Sequence, residues 1–259
     1  MEIKIGELFI GGESDFKLSP QLSGLESPAF RVGDGLYAGR DGGHISGVFY
    51  GHRTIIIKGF YIGADCEEAA RLRKVLFGYL RIRHNLPVVI TTADGEYYTE
   101  GFVTDIKAEI ENLVAGEFQL TLVCPDPILY ESVNGEPKWY NEILENGNTT
   151  TVINDGEVEI YPIITITGRV YAGIELTNTT TQQTMQINVS TSEDSDEIIV
   201  DMGKRLITLN GEGINEDRSL NSVWWYLAQE DNGILVNAEE ESGEELNIEI
   251  KYRKGYAGL

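Results

Sequence analysis

The first half of the chain reads as short apolar and β-branched runs parted by turn residues, with one helix inserted. Thr54–Ile62 is such a run, ending near Gly63, and Leu86–Thr92 is another. Asp94-Gly95 follows the second run, and Asp-Gly between strand-like segments is a strong hairpin signal. The expected pair is Val88–Thr92 with Glu96–Glu100. Phe102–Ile110 and Glu117–Cys124 flank a turn near Glu111–Gly116 and read as a second hairpin. Between the strands, Leu72, Val75, Leu76, Tyr79 and Leu80 recur at helical spacing. Asp65 can cap this helix and Glu68 stands in capping-box position. Asn85-Leu86-Pro87 stops it, because proline has no N–H to donate and disfavours helix in the residue before it. Burying those side chains contributes on the order of 8–15 kcal/mol before ordering entropy is subtracted, so a helix docked on a sheet is expected.

After Pro125 and Pro127 the pattern changes, and Asn134-Gly135-Glu136-Pro137 reads as a linker. Residues 139–259 offer short strands at regular spacing: Tyr161–Thr167, Tyr171–Thr177, Thr184–Val189, Glu197–Asp201, Arg205–Leu209, Ile234–Asn237 and Glu245–Tyr252. Turn residues part them, among them Asn178-Thr179-Thr180, Asn210-Gly211, Asp231-Asn232-Gly233 and Glu241-Ser242-Gly243. Strands at this spacing predict an antiparallel β-sandwich. The expected division is a first domain over 1–138 and a second over 139–259.

The 259 residues, 41% of them hydrophobic, have room for two cores. No run reaches the length of a membrane span, and Met1-Glu2-Ile3-Lys4-Ile5 lacks the basic start and apolar stretch of a secretory signal. Synthesis and retention in a cytoplasm, until something else releases the protein, are expected. The net charge is −22, and it is uneven: 13 Lys/Arg against 20 Asp/Glu give −7 in residues 1–138, and 7 against 22 give −15 in 139–259. Such a surface repels nucleic acid and anionic lipid, so neither specific nucleic acid nor membrane is an expected partner. Cys66 and Cys124 are expected as free, buried thiols in a reducing compartment. His44, His52 and His84 lack metal-binding spacing and neither cysteine sits in a CxxC, so no metal or other cofactor is expected.

Catalytic signals are missing. The acids gather in runs such as Glu193-Asp194-Ser195-Asp196-Glu197 and Glu239-Glu240-Glu241, which read as solvated surface rather than as a glycosidase pair across a cleft. Asp194-Ser195-Asp196 lacks the glycine and distal glutamate of an EF-hand loop. No GxSxG, HExxH or Walker A motif occurs. Gly42-Gly43 reads as a mobile loop between subunits. Arg71, Arg73, Lys74, Arg81 and Arg83 lie on the helix, either as a solvated face with ordinary ion pairs or as a patch that meets an acidic neighbour. Trp224-Trp225 could stack on sugar rings at a sandwich edge, or strand alternation could turn one tryptophan inward and leave the next partly exposed.

The glycine-dense block from Ala38 to Arg53, running straight into Thr54–Gly59, resembles the distal tail protein (Dit) family of long-tailed bacteriophages. So do Glu67-Glu68-Ala69-Ala70-Arg71-Leu72, the Asp94-Gly95-Glu96-Tyr97-Tyr98 hairpin and Cys124-Pro125-Asp126-Pro127. Asn154-Asp155-Gly156-Glu157, Tyr161-Pro162-Ile163-Ile164, Ile198-Ile199-Val200-Asp201 and Leu209-Asn210-Gly211 extend the likeness through the second half. The resemblance implies a mainly β protein without catalytic residues. Its N-terminal domain would be a β-sheet or split barrel with one helix, like a tail-tube subunit, and its C-terminal domain a galectin-like antiparallel sandwich. It further implies a homo-hexameric ring at the distal end of the phage tail, assembled in the host cytoplasm. Implied partners are the major tail protein, the tape-measure protein, the tail-associated hub or lysin protein, and a receptor-binding or baseplate protein. Ring contacts are then expected at Arg40, Gly42, Gly43 and Arg53 of the glycine block, and at Arg71, Arg73, Lys74, Arg81 and Arg83 of the helix. The rival reading is a carbohydrate-binding module that uses Trp224 or Trp225.

Overall fold

A computed structural model describes residues 1–79, 84–110, 114–240 and 246–259, which form two compact units. The first comprises Met1–Pro137 with Tyr256–Leu259, the second Lys138–Gly255. The sequence expectations at Leu80, Arg81, Arg83, residues 111–113 of the expected turn, and residues 241–245 fall outside the described residues.

The first unit runs β1 (Glu2–Ile5), β2 (Leu8–Gly11), β3 (Phe16–Leu18), β4 (Phe30–Leu36), β5 (Gly43–Tyr50), β6 (Arg53–Ile62), α1 (Cys66–Tyr79), β7 (Leu86–Thr91), β8 (Glu96–Ile110), β9 (Ala115–Cys124), β10 (Leu129–Val133) and β11 (Glu136–Pro137). Its main sheet has the order β2-β1-β7-β8-β9-β6-β3, with β10 joining β8, and its end strands β2 and β3 approach each other so that the sheet nearly closes. Both expected hairpins form: Val88 pairs with Thr99 and Thr91 with Glu96, and farther along the same long strand Lys107 pairs with Gln119. Strict alternation on β6 turns Ile55, Ile57 and Tyr61 inward, where they meet Ile3, Ile5, Val88, Ile90, Leu120 and Leu122.

The helix is capped as its sequence implies. Asp65 Oδ1 accepts from the Glu68 N–H at 2.8 Å, and the Glu68 carboxylate reaches back to the Ala64 N–H at 2.7 Å. Ala69, Leu72 and Leu76 are its buried residues, with Val75 partly covered. Tyr79, expected inward, is exposed, so the docked stripe sits one turn nearer the N-terminus than the periodicity implies. Asn134 and Gly135 both take positive φ, 56° and 84°, and make a tight two-residue turn between β10 and β11 rather than an open linker.

The second unit runs β12 (Tyr140–Leu144), β13 (Thr149–Asn154), β14 (Ile163–Thr167), β15 (Val170–Asn178), β16 (Gln183–Ile187), β17 (Glu197–Asp201), β18 (Leu206–Leu209), β19 (Glu212–Gly213), β20 (Glu230–Glu240) and β21 (Asn247–Tyr252). They build two antiparallel sheets, β12-β21-β14-β17-β18-β19 and β13-β20-β15-β16, whose inward positions are nearly all aliphatic. The Asp231-Asn232-Gly233 stretch, expected as a turn, lies inside β20, with Gly233 opposite Thr151. Asn232 is fully buried there. Its Nδ2 donates to Ala228 O and Glu230 O, and its Oδ1 accepts from the Ala228 N–H and from Asn178 Nδ2. Buried Asn154 donates to Val158 O and Leu227 O nearby. The side chains that favour turns are thus spent holding the neighbouring loop from within a strand.

Candidate interaction surfaces

Among the described residues β4 and β5 pair only with each other, as a two-stranded ribbon. The segment expected as a mobile loop at Gly42-Gly43 is therefore a turn leading into a strand: Gly42 holds φ at 94° and the Tyr37 N–H bonds to its carbonyl. Gly43 sits where a Cβ would press on Gly35 O, so close strand approach requires glycine. The ribbon's apolar side chains have almost nothing to cover them. Leu36 is 87% and Ile45 68% exposed, and Phe30, Val32, Val48 and Phe49 are exposed as well. Phe30 stacks on Tyr50 at 5.3 Å, and the Arg40 guanidinium lies 3.9 Å from the Tyr37 ring at the tip. Isolated two-stranded ribbons are marginal in water, and a concentration of exposed apolar side chains marks a contact site.

Arg53 follows the ribbon, and the structure corrects its expected place at a subunit contact. It is 1% exposed, on the inward face of β6. Its Nη1 donates to Gly24 O and Glu26 O, both at 2.8 Å, its Nε to Pro127 O at 2.7 Å, and its Nη2 to Ala257 O at 2.7 Å. A planar fork serving four carbonyls suits arginine and not lysine. Gly24 and Glu26 lead into the ribbon and Arg53 leaves it, so one guanidinium clamps both feet while the Gly51 N–H bonds to Ala29 O at 2.7 Å. Gly24, at φ 92°, lies against Thr54 O where no Cβ fits. Burial holds the Arg53 pKa below its ordinary value, and the carbonyl cage replaces the water the cation loses.

On the helix, Arg71 and Lys74 are exposed. Arg73 is partly spent at home: its Nε donates to Ala108 O at 3.1 Å and its guanidinium lies 5.3 Å from the Phe77 ring. Cys124 is buried, and burial pushes its thiol up to about 11. Cys66 is free but exposed, correcting the expectation of two buried thiols, because it opens the helix on the solvent side.

In the second unit Trp225 is fully buried and donates from Nε1 to Leu176 O at 3.1 Å, so it has no face to offer a sugar. Trp224 is half-buried with the Arg218 guanidinium 5.6 Å from its ring. The acidic run is more ordered than a solvated tail. Asp196 accepts from Asn210 Nδ2 and from the Glu193 and Ser192 N–H groups, which holds its carboxyl below the usual range, while Asp194 pairs with Arg169 at 2.8 Å. Among the described residues no group of three or more His, Cys, Asp or Glu is placed to hold a metal.

Residues 155–256 match the family model described as siphovirus-type tail component, C-terminal domain. Among solved structures, Dit of phage SPP1, described as a paradigm of the hub of the adsorption apparatus in phages infecting Gram-positive bacteria, aligns with a TM-score of 0.74 at 16% identity. The alignment covers 98% of each chain. The phage P2 baseplate in its activated conformation with calcium aligns at a TM-score of 0.40 and 10% identity, covering 92% of this chain and 91% of that one. No curated protein sequence matches the chain significantly. The chain has the mainly β fold of Dit, with one α-helix among the described residues, and residues 155–256 carry the likeness to the siphovirus-type tail component, so the resemblance read from the sequence is borne out.

Proposed function

We propose that this chain is a Dit-type tail component and the ring-forming hub at the tail tip, six copies closing through their first units while the second units carry receptor-binding or baseplate proteins. The observation that carries this reading is the ribbon. It presents Leu36, Ile45, Val48 and Phe49 to solvent with no partner strand beyond its own pair among the described residues, and a second copy of the chain is the partner that a self-assembling ring supplies. The buried Arg53 clamp supports it, because a clamped foot lets an exposed arm reach a neighbour in a fixed direction. Tail-tube, tape-measure and hub or lysin proteins are the further partners this role requires. The role itself is structural, without turnover.

Native mass spectrometry of the full chain tests the proposal. A closed oligomer, six-fold, is expected, and Ile45→Asp with Phe49→Asp should leave monomers whose thermal midpoint is unchanged, since both side chains are already exposed. A monomer at every salt and protein concentration, or rings that persist in the double variant, would overturn it.

A further inference from the structure

We propose that the outward face of β15, β16 and β20 is a binding groove for neutral oligosaccharides. The proposal needs only the second unit and stands or falls apart from the ring reading.

The groove has a volume of about 620 Å³. Its floor is set by strand register. Glu175 is opposite Gln186 on one side and Asn237 on the other, so three polar side chains form a row across three strands, with neighbouring Cβ atoms roughly 5 Å apart. Glu175 is half-buried, yet none of the three side chains makes a hydrogen bond or ion pair to another described residue. The next row on the same face behaves differently: the Thr177 and Thr184 hydroxyls bond to each other at 2.9 Å. The open row is therefore not simply how this sheet treats its polar groups.

One wall comes from Asn146, whose side-chain amide bonds to both the N–H and the carbonyl of Ala238, at 2.9 Å each. The other element is a bulge. Between Val170 and Ile174 four steps along β15 answer two along β20, from Glu240 to Ala238. Gly173 takes φ 75° with its Cβ position against Ile187 O, a geometry that favours glycine. Bulges re-aim side chains, and this one displays Tyr171, 73% exposed and lining the groove, with no ring or cation stacked on it among the described residues.

The lining contains no Lys or Arg and includes Glu175 and Glu239, which excludes anionic ligands. Planar amides that both donate and accept suit paired hydroxyls, and an uncovered aromatic ring beside them suits the apolar face of a pyranose. Trp224, already under Arg218, is not needed.

Isothermal titration of the full chain with maltohexaose, cellohexaose and chitohexaose, and with trigalacturonate as the anionic counterpart, tests this. Saturable binding of at least one neutral oligosaccharide and none of trigalacturonate is expected. Tyr171→Ala should weaken the binding about tenfold, and Asn237→Ala should weaken it several-fold. Trp224→Ala should leave it unchanged. These replacements are at exposed or half-buried positions, so equal thermal midpoints separate lost binding from lost folding. No saturable binding of any neutral oligosaccharide up to about 10 mM, equal binding by Tyr171→Ala, or loss of binding in Trp224→Ala would each overturn the proposal.

Discussion

The ribbon of β4 and β5 and the outer face of β15, β16 and β20 are both β surfaces turned to solvent, yet they expose opposite chemistry. The ribbon shows Leu36, Ile45, Val48 and Phe49, whereas the sheet face shows Gln186, Asn188, Asn237 and the half-covered Glu175. Water covers the second face at little cost. It covers the first only at the expense of unfavourable apolar hydration, roughly 25 cal/mol for each Å² left exposed. An apolar arm is relieved by a protein partner, and a polar groove by a ligand that replaces water bond for bond. The two units also bury polar groups differently. Asn154, Asn178 and Asn232 bond mainly to nearby loop backbone in the second unit, while Arg53 draws together carbonyls from residues 24, 26, 127 and 257 in the first.

The sharpest way to break the comparison is through that clamp. Arg53→Met removes five donors and leaves four partly buried carbonyls short of a partner, which should cost about 3–5 kcal/mol. Arg53→Lys should recover only a minor part, since an ammonium cannot reach carbonyls spread around a planar fork. Arg40→Met at the exposed ribbon tip should stay within about 0.5 kcal/mol. Urea unfolding midpoints of the full chain measure all three. A loss under about 1 kcal/mol for Arg53→Met would mean that water replaces the cage and that the ribbon's feet are not clamped.

How much of this was legible depends on how local each signal is. Asp94-Gly95 and the Asp65/Glu68 cap act within a few residues, and both resolved into the expected hairpin and helix. The alternation of Trp224 and Trp225 was equally local. The ribbon was not legible, because Gly33, Gly35, Gly43 and Gly47 dilute the strand pattern and its strands pair only with each other. Arg53 reads as a surface cation because nothing near it in sequence shows that a carbonyl from residue 257 closes over it. Asn232-Gly233 carries turn chemistry, but tertiary bonds to Ala228 and Asn178 override it. The Gln186, Glu175 and Asn237 row exists only once the register of three strands is known.

Cys124 offers a second, smaller probe of the clamp, since it sits opposite Arg53 in the β6–β9 register. Burial raises its folded-state pKa from 9.0 to about 11. A raised pKa contributes stability that is fully present below the unfolded value and is lost as pH climbs through the folded one. Between pH 9 and pH 11 the wild-type chain should therefore lose up to about 2–3 kcal/mol more than Cys124→Ala. Urea midpoints at pH 8 and at the upper end of that window give the difference. Parallel pH curves for the two proteins would show that the thiol is not held neutral by the core. At pH 8, a thiol reagent should label Cys66 in the native chain and reach Cys124 only after unfolding.

The smallest expected effect concerns a surface of a third kind, the charged face of α1. Arg73 is tied to Ala108 O and Arg71 pairs with the Glu68 carboxylate at 3.5 Å, so Lys74 is the described cation on the helix left to meet an acidic neighbour. Copies that each carry −22 repel at low salt, so assembly of the wild-type chain should strengthen as salt rises to moderate levels. A local attraction at Lys74 is screened by the same salt. Lys74→Glu should then weaken assembly about two- to fivefold at low ionic strength, with the deficit shrinking at high ionic strength. Sedimentation across a salt series reads both trends. If Lys74→Glu and wild type assemble alike at every salt, the helix face is ordinary solvated surface, and self-association rests on the apolar ribbon alone.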